Sequence, residues 1–571
     1  MSARRLTARL LLAVVLLGGA TPAFAVHPPA VRGEGGAVAS ATSDATAAGL
    51  EVLRAGGNAA DAAVAVALAL AVVHPQAGNL GGGGFAVARF GDELVALDFR
   101  ETAPAAASRD MFLGADGVPV PERSLVGPLA AGVPGSPAGL WELHRRFGEL
   151  PWRRVVAPAV RLAGEGFTVT ARLADDLRRE TDLLGSFPET ARVWLPGGEP
   201  PEAGQALRLP ELAATLRAYA ESGPEAITSG PAAAAVEAVS KRHGGTLQAS
   251  DLGAYRPVWR EPVQFEAFGW QVASMPLPSS GGIILGQTCG LVERLGWAGE
   301  PRFGTDRAHL LVESWRRAYA DRFLLGDPRT SKVRPGELLS SRSLDRVAAT
   351  ISRSRATPSD LVRPRPAVEL VESLDTTHLS VIDGAGGAVS LTTTLNGRFG
   401  CGLLVPGLGF LLNNEMDDFA AAPGVANQFG LVQGEANAVG PGKRMLSSMS
   451  PTVAWRDHEI LVLGSPGGSR IPTATAQVLL SVIVDGDHLQ AAVDRPRVHH
   501  QWLPDEVYAE PDAMAPETAS ALVRRGHAIE TREELGEVHA VRRMPDGMLE
   551  AAADPRGPGA AAVVREVPRW N

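Results

Sequence analysis

One threonine in this sequence could become a nucleophile if a single peptide bond were cut. A threonine hydroxyl is a poor nucleophile until a base removes its proton, and an α-amino group, with a reference pKa of about 7.7–8.0, can be that base. Cleavage between Asp375 and Thr376 would place both groups on Thr376. The plain alternative is a Thr-rich structural hairpin, because threonine is common in strands.

The flanking residues predict a β-hairpin that starts at this threonine. Polar and apolar residues alternate from 376 to 382, as in a half-buried strand. A Gly-rich turn at 383–387 and a Val- and Thr-rich return strand at 388–395 follow. Upstream, residues 354–366 contain three prolines and three arginines and have no helical or strand period. We therefore expect a disordered segment shortly before the hairpin.

The N-terminal residues 1–25 form a predicted signal peptide. Three arginines precede an apolar run at 10–17, and Ala23-Phe24-Ala25 is a typical cleavage site. The run is shorter than the roughly 20 residues that span a bilayer. Its removal takes away three arginines and no acidic residue, so the net charge falls from −9 to −12. We expect a periplasmic or secreted protein without a membrane anchor, and an acidic chain without a basic run gives no support for nucleic-acid binding.

Two helices and a glycine-rich loop are predicted near the mature N-terminus. The first helix has Ser43 as N-cap and a body at 45–55. The second, at 59–73, consists almost wholly of Ala, Val and Leu, which predicts burial on all sides. The loop at 79–84 is followed by no Lys-Ser/Thr pair, so close backbone packing is favoured over phosphate binding.

An arginine stands at the end of the next predicted hairpin. Strands at 85–90 and 93–99 lead into Arg100, which lies between Asp98 and Glu101. Such an arginine is commonly part of a surface ion pair; the functional alternative is a guanidinium that grips a substrate carboxylate with two hydrogen bonds. Residues 105–370 alternate between helical and irregular patterns and contain no metal-ligand spacing.

Polar clusters follow the threonine hairpin. They are residues 413–418, an irregular stretch at 421–443 that is typical of a lid, the pair Ser447-Ser448, and residues 464–470. The last cluster contains Gly467 and Gly468. Successive glycines at a turn present bare backbone N–H groups, which can form an oxyanion hole. The two cysteines, Cys289 and Cys401, are expected to be small buried hydrophobes, with one disulfide left open.

Together these stretches closely resemble the γ-glutamyltransferase family of N-terminal-nucleophile hydrolases. The resemblance covers most of the mature chain, and its motifs occur in the family's order: 57–63 through 84, 98–101, 278–282, 376–378, 413–418, 447–448 and 465–470. It implies an α+β fold, a four-layer αββα sandwich. It also implies a precursor that cuts itself before Thr376 into a large subunit, 26–375, and a small subunit, 376–571, which remain together.

The resemblance also implies catalytic roles. Thr376 would be the nucleophile, with its own α-amine as the base, and Thr394 would hydrogen-bond and orient the Thr376 hydroxyl. Gly467 and Gly468 would donate backbone N–H groups to the oxyanion. His378 is interpreted as structural, because the α-amine leaves no base role for it.

A zwitterionic glutamyl head needs one cationic and one anionic clamp, and the resemblance supplies both. The α-carboxylate would be held by Arg100 with Ser447 and Ser448, and the α-ammonium by Asn396, Glu415 and Asp418. The implied reaction is ping-pong: attack on the γ-amide of a donor such as glutathione, then transfer of the γ-glutamyl group to water, an amino acid or a peptide. No metal or organic cofactor is implied.

The lid stretch departs from the family pattern at Phe429, where lid-bearing bacterial relatives usually carry tyrosine. Gating by a hydrogen bond from that hydroxyl is therefore in doubt. Two other functions compete with γ-glutamyl transfer. A glutaryl or cephalosporin acylase of the same fold would need no ammonium clamp, and the presence of Asp418 argues against it. An unprocessed binding homologue would need no nucleophile, and Thr376, Thr394 and the glycine pair argue against that.

Overall fold

The computed structural model describes residues 30–363, 376–422 and 424–565. The predicted signal peptide and Asp375 lie outside the described residues. The strands are β1 (Val31–Gly33), β2 (Gly36–Ser40), β3 (Gly83–Phe90), β4 (Glu93–Phe99), β5 (Phe167–Thr168), β6 (Ala206–Leu207), β7 (Val258–Arg260), β8 (Val263–Ala267), β9 (Trp270–Ser274), β10 (Thr377–Asp383), β11 (Ala388–Thr394), β12 (Thr452–Arg456), β13 (Glu459–Gly464), β14 (Val498–His499), β15 (Val507–Ala509), β16 (Ile529–Thr531), β17 (His539–Arg543), β18 (Leu549–Ala552) and β19 (Ala560–Val563).

Helices make up most of the remaining regular structure. They are α1 (Ser43–Arg54), α2 (Ala59–Val73), α3 (Glu122–Leu125), α4 (Ser136–Phe147), α5 (Trp152–Glu165), α6 (Ala171–Arg179), α7 (Thr181–Gly185), α8 (Pro188–Trp194), α9 (Pro210–Ser222), α10 (Glu225–Thr228), α11 (Gly230–Arg242), α12 (Ala249–Ala254), α13 (Gly281–Arg294), α14 (Thr305–Arg322), α15 (Pro335–Leu339), α16 (Ser341–Ala348), α17 (Ser359–Val362), α18 (Ile471–Ile483), α19 (Leu489–Asp494) and α20 (Pro516–Arg524).

Two seven-stranded antiparallel sheets lie at the centre of the molecule. The hairpin sheet has the order β19-β2-β10-β11-β3-β4-β7, and the facing sheet has the order β1-β18-β17-β13-β12-β9-β8. Side chains from both sheets form one apolar cluster, with Phe85 and Val87 from the hairpin sheet and Val453, Val462 and Val541 from the facing sheet. The two sheets therefore pack face to face.

Helices cover the outer face of each sheet. Helices α1, α2, α5 and α9 share an apolar cluster with the hairpin sheet. Helices α13, α14 and α18 share another with the facing sheet. The predicted four-layer αββα arrangement is confirmed. Helix α2 has the predicted bounds, and all its residues are buried; α1 is capped by Thr42, one residue before the predicted Ser43.

The threonine hairpin lies in the middle of its sheet. Strands β10 and β11 pair as predicted, but every residue of both is buried, so the predicted half-burial is wrong. The apolar face packs on the helical layer, and the polar face is covered by the facing sheet. There Ser380 donates to the His539 carbonyl at 3.0 Å, and Ser390 donates to the Leu463 carbonyl at 3.0 Å. These hydrogen bonds let a polar face be buried without unpaired groups.

The glycine-rich loop packs tightly against the backbone, as predicted. A Cβ at Gly81 would lie 1.9 Å from the Leu411 carbonyl oxygen, and one at Gly82 would lie 2.1 Å from the Thr394 carbonyl oxygen. A side chain at Gly82 would push the loop away from the end of β11, and one at Gly81 would push it away from Leu411. The glycines therefore hold the threonine hairpin in place.

The segment before the hairpin is ordered as far as residue 363, so the predicted disorder is wrong for 354–363; residues 364–366 lie outside the described residues. Ser359 is fully buried, its N–H donates to Asp505 at 2.8 Å, and its carbonyl accepts from the Trp502 indole at 2.9 Å. The Thr357 N–H donates to Glu313 at 3.2 Å. Partners distant in sequence satisfy this backbone, and a local pattern cannot show them.

Strands β7, β8 and β9 also lie in a region that the sequence predicted as helical or irregular. Both cysteines are buried and free, which confirms the hydrophobic interpretation and leaves no disulfide between them. In the part of the chain that the structure describes, no helix has the length and apolar character needed to cross a membrane.

Candidate active site

Residues from distant parts of the chain meet in one cavity at the end of β10. Its lining comprises Arg100, Arg322, Thr376, Thr394, Asn396, Glu415, Asp418, Phe429, Leu431, Ser447, Ser448, Met449, Gly468 and Ile471. Nine of the ten residues predicted for the site are in this set, and Gly467 adjoins Gly468.

Thr376 directly precedes β10 and is 8% exposed. In the register of the hairpin Thr377 pairs with Thr393, so position 376 faces Thr394 one step further along. The Thr394 hydroxyl oxygen accepts a hydrogen bond from the Asn396 N–H at 2.8 Å. That bond fixes Thr394 on the strand opposite Thr376.

Arg100 follows β4 and is 1% exposed, which rules out the surface ion pair. One terminal nitrogen donates to Glu415 and the other to Asp418. Both carboxylates lie on one turn of 3-10 helix, Glu415–Asp418. Burial alone would lower the pKa of Arg100, but these carboxylates outweigh it and raise the pKa above its ordinary value. Arg100 is therefore a permanent cation in the cavity wall.

Acidic groups surround this cation. Burial raises the pKa of Glu415 well above its ordinary value, against the attraction of Arg100, and also raises that of Asp418. Burial raises the pKa of Glu101 to about 7, and its carboxylate lies 3.8 Å from the Arg100 guanidinium. Three buried carboxylates thus surround the Arg100 guanidinium, and burial opposes the ionisation of each of them.

Several polar atoms of the cavity wall have no hydrogen-bond partner within the described part of the chain. They are Oε2 of Glu415, Oγ of Ser448 and both terminal nitrogens of Arg322. The first is an acceptor that suits a cation, and the others include donors that suit an anion. Because buried polar groups are normally paired, these atoms indicate a ligand that carries both charges.

The other predicted clamp residues have partners that fix them in place. Asn396 adopts a left-handed backbone with φ +76°, which asparagine tolerates, and its amide donates to the Asn414 carbonyl at 3.0 Å. The Ser447 hydroxyl oxygen accepts from the Met449 N–H at 3.1 Å. Ser447 thus keeps its own proton for a ligand.

The predicted oxyanion turn lies where β13 leads into α18. Gly467 and Gly468 have φ values of +124° and +55°, and residues Gly468–Arg470 form a 3-10 turn that continues into α18. The first N–H groups of a helix have no partner within it, and its N-terminus carries partial positive charge. Gly468 and Ile471 line the cavity, so this positive end faces the space beside Thr376.

His378 is fully buried beside the candidate nucleophile. Its ring nitrogens lie 2.8 Å from the Thr392 hydroxyl and 3.0 Å from the Ser380 hydroxyl. Burial lowers its pKa well below the ordinary value. The ring is neutral and fully hydrogen-bonded, in line with the structural interpretation.

Sequence reasoning missed Arg322 and Asn427. Arg322 is the last residue of α14 and stands in no polar motif, so no local signal could have identified it. Asn427, in the lid, donates to the second oxygen of Asp418 at 2.8 Å and accepts from the Phe429 N–H at 3.0 Å. The lid is therefore tied directly to the acidic clamp.

Comparison with known proteins identifies the family. The family model described as Gamma-glutamyltranspeptidase matches residues 45–564. The glutathione hydrolase proenzyme of Escherichia coli K12 is 43% identical over 535 residues, which cover 93% of this chain and 91% of the relative. The chain belongs to the γ-glutamyltranspeptidase family. It is thus an enzyme whose nucleophile is an N-terminal threonine, made as a precursor that is cleaved into two subunits.

Two further proteins similar to this chain carry different names. The glutathione hydrolase proenzyme of Pseudomonas aeruginosa is 42% identical over 559 residues, covering 96% of this chain and 98% of the relative. Among solved structures, the cephalosporin acylase of Bacillus halodurans matches with a TM-score of 0.83 and 27% identity, covering 97% of this chain and all of that one. The same fold therefore occurs in a glutathione hydrolase and in a cephalosporin acylase, so the function has to be argued from the residues of the cavity.

Proposed function

We propose that this member of the γ-glutamyltranspeptidase family cleaves the γ-glutamyl amide of glutathione and related compounds through a γ-glutamyl ester on Thr376. The acyl group then passes to water, an amino acid or a peptide. One observation carries the proposal: Thr376 lines the same small cavity as Arg100, Ser448, Glu415 and Asp418. A nucleophile and two clamps of opposite charge are what a γ-glutamyl amide requires.

Thr376 would act with its own α-amine. In the first step the amine takes the hydroxyl proton as Oγ1 attacks the γ-carbonyl carbon, and the proton then goes to the departing amine. In the second step the acceptor attacks the ester carbon, and the proton it loses returns through the α-amine to Thr376. Thr394, opposite Thr376 on β11, would hold the hydroxyl at the attacking angle.

The clamps would separate the two charges of the glutamyl head. The α-carboxylate would displace part of the Arg100–Asp418 contact and accept from Arg100, Ser447 and Ser448. The α-ammonium would donate to Glu415 and Asp418, with Asn396 beside them. Each buried carboxylate then gains a cation in exchange for the share of Arg100 it loses, so no charge is left unpaired.

The oxyanion of each tetrahedral intermediate would lie at the turn before α18. The N–H groups of Gly467 and Gly468 would donate to it, and the helix dipole of α18 adds positive potential. Both glycines have φ values at which a side chain is strained, which keeps the turn open to the substrate.

An alanine at Gly468 is expected to lower kcat/KM on a γ-glutamyl anilide by about 10- to 100-fold, since a shift on the order of 1 Å costs about 10²-fold. Its Cβ would lie 2.5 Å from the Phe429 ring, so the turn or the lid must move. Proline is unsuitable here, because its φ near −65° opposes +55°. The measurement is steady-state kinetics on the processed enzyme.

Gly442→Ala is the matched control for that prediction. Gly442, in the irregular stretch 421–443, has a similar φ, +64°, and a Cβ at this position would have nothing within 4 Å. Its alanine variant should have the same backbone strain, about 1–2 kcal/mol, without touching the cavity. Equal losses of activity in both variants would remove the oxyanion turn from the mechanism.

The precursor would be cut between Asp375 and Thr376, giving subunits 26–375 and 376–571 after loss of the signal peptide 1–25. Export to the periplasm or beyond accords with the predicted signal. Ser359, upstream of that bond, is anchored to Asp505 and Trp502 of the predicted small subunit, which would help to hold the two subunits together. No metal or organic cofactor enters these steps.

The test is a denaturing gel, N-terminal sequencing and turnover of γ-glutamyl and glutaryl anilides by the same preparation. We expect two bands, a small subunit that begins Thr-Thr-His, and preference for the γ-glutamyl anilide. Preference for the glutaryl anilide would make the protein an acylase. A single band with no turnover would make it a binding homologue.

A further inference from the structure

Arg322 is a buried arginine with unused hydrogen-bonding capacity in the cavity wall. It ends α14, its side chain is 2% exposed, and it lines the cavity together with Thr376. Burial, its largest influence, lowers its pKa to about 10, so it remains charged at neutral pH. Both of its terminal nitrogens lack an acceptor among the residues that the structure describes.

Ser280 fixes Arg322 relative to Ser447 and Ser448, which are predicted to bind the α-carboxylate. The Arg322 Nε donates to the Ser280 hydroxyl at 3.1 Å. Ser280 in turn donates to the Ser447 carbonyl from its hydroxyl and from its backbone N–H, at 2.8 Å each. The free end of the guanidinium is therefore held in register with Ser447 and Ser448.

Arg100 and Arg322, the two arginines of the cavity lining, differ in how many of their hydrogen-bond donors are already in use. Arg100 already donates to Glu415 and Asp418 from its two terminal nitrogens. Arg322 interacts with Asp418 only at a distance and with Arg100 repulsively. A buried guanidinium without a hydrogen-bonded anion is costly. This one lines the same cavity as the Ser448 hydroxyl, which also has no partner among the described residues.

We propose that Arg322 binds the α-carboxylate of the γ-glutamyl group, together with Ser448, as a second guanidinium beside Arg100. A planar guanidinium and a hydroxyl provide the converging donors that a carboxylate accepts. Arg100 then stays bound in part to the acidic clamp and positions it for the ammonium. This inference rests on the proposed γ-glutamyl function and adds a residue that determines substrate specificity.

The test compares Arg322→Gln with wild type on two anilides that differ in one group. The γ-glutamyl anilide carries the α-carboxylate, and the 4-aminobutanoyl anilide is the same molecule without it. We expect the ratio of kcat/KM for the first to that for the second to fall about 10- to 100-fold, mainly through KM, because a charge-assisted hydrogen bond is lost. Arg322→Lys keeps the charge but not the planar guanidinium with its paired donors, so its ratio should lie between those of the wild type and Arg322→Gln.

Arg317→Gln is the matched control, since Arg317 is a buried arginine of the same helix that pairs with Glu313 at 2.8 Å. It should alter thermal stability and leave the substrate ratio at the wild-type value. If Arg322→Gln lowers both turnovers equally, Arg322 is merely structural and the proposal fails. Should Arg322→Gln not fold, the ratio measured for Arg322→Lys decides: a wild-type ratio overturns the proposal.

A third substrate distinguishes the α-carboxylate from a carboxylate on the leaving group. In Arg322→Gln, kcat/KM on a γ-glutamyl anilide with a ring carboxylate should fall as much as kcat/KM on the plain γ-glutamyl anilide. A loss confined to the ring-carboxylated substrate would place Arg322 in the leaving-group site and overturn the assignment. Wild-type turnover of the plain γ-glutamyl anilide is measured first, and its absence would refute the γ-glutamyl function itself. If the wild type turns this substrate over and the Arg322 variants have the wild-type substrate ratio, only the present inference is refuted.

Discussion

Thr376→Ala is expected to leave the precursor as one uncut chain and to lower turnover of a γ-glutamyl anilide by at least about 10⁴-fold. The substitution removes the nucleophile for precursor self-cleavage and for γ-glutamyl transfer. Loss of a catalytic nucleophile typically costs on the order of 10⁶-fold in kcat. Thr376→Ser keeps a hydroxyl and should be processed and active, more slowly than wild type. A denaturing gel and steady-state kinetics measure both outcomes.

Thr377→Val is the matched control for the nucleophile. Thr377 is buried, neighbours Thr376 and points to the opposite face of β10, and its hydroxyl has no partner in the described part of the chain. Removing an unpaired buried hydroxyl is close to neutral, so this variant should be cut and active. If Thr376→Ala still splits, or the wild-type small subunit begins at another residue, Thr376 is not the nucleophile.

Asp418→Asn is expected to reverse the preference of the cavity for an α-ammonium. The variant keeps the shape and the Asn427 contact but loses the charge that pairs with the ammonium. A charge-assisted hydrogen bond contributes roughly 1.5–3 kcal/mol, so kcat/KM on a γ-glutamyl anilide should fall about 10- to 100-fold or more. A glutaryl anilide leaves the wild-type carboxylate without its cation, so it should gain.

The measurement is the ratio of kcat/KM on the γ-glutamyl anilide to kcat/KM on the glutaryl anilide. A ratio is needed because Asp418 also binds Arg100, so replacing Asp418 can weaken the binding of the carboxylate that both substrates carry. Asp417→Asn is the control: Asp417 is buried on the same turn but accepts from Ser124 at 2.7 Å and from the Gln428 N–H at 3.0 Å. That variant should leave the ratio unchanged. If Asp418→Asn changes kcat/KM on both substrates by the same factor, Asp418 does not recognise the ammonium.

Local patterns in the sequence were sufficient for the elements that carry the site. The bounds of α2, the paired strands β10 and β11 and the packing role of Gly81 and Gly82 all followed from periodicity and residue type. These features depend on residues within a few positions of each other, so the sequence records them directly. The resemblance to one family added the layered fold and the set of residues that meet in the cavity.

Only the tertiary structure decided which groups are buried and which charges are paired. Arg100 and Glu415 are separated by 315 residues, and no local pattern could show that this arginine is bound to the acidic clamp. The same holds for the polar face of β10, buried because the facing sheet supplies carbonyl acceptors, and for the ordered segment around Ser359. Arg322 is the clearest case, because only the tertiary structure shows that its terminal nitrogens lie in the cavity wall without an acceptor among the described residues. Burial and pairing are properties of residues brought together from distant parts of the chain, and the free energy of a charge depends on both.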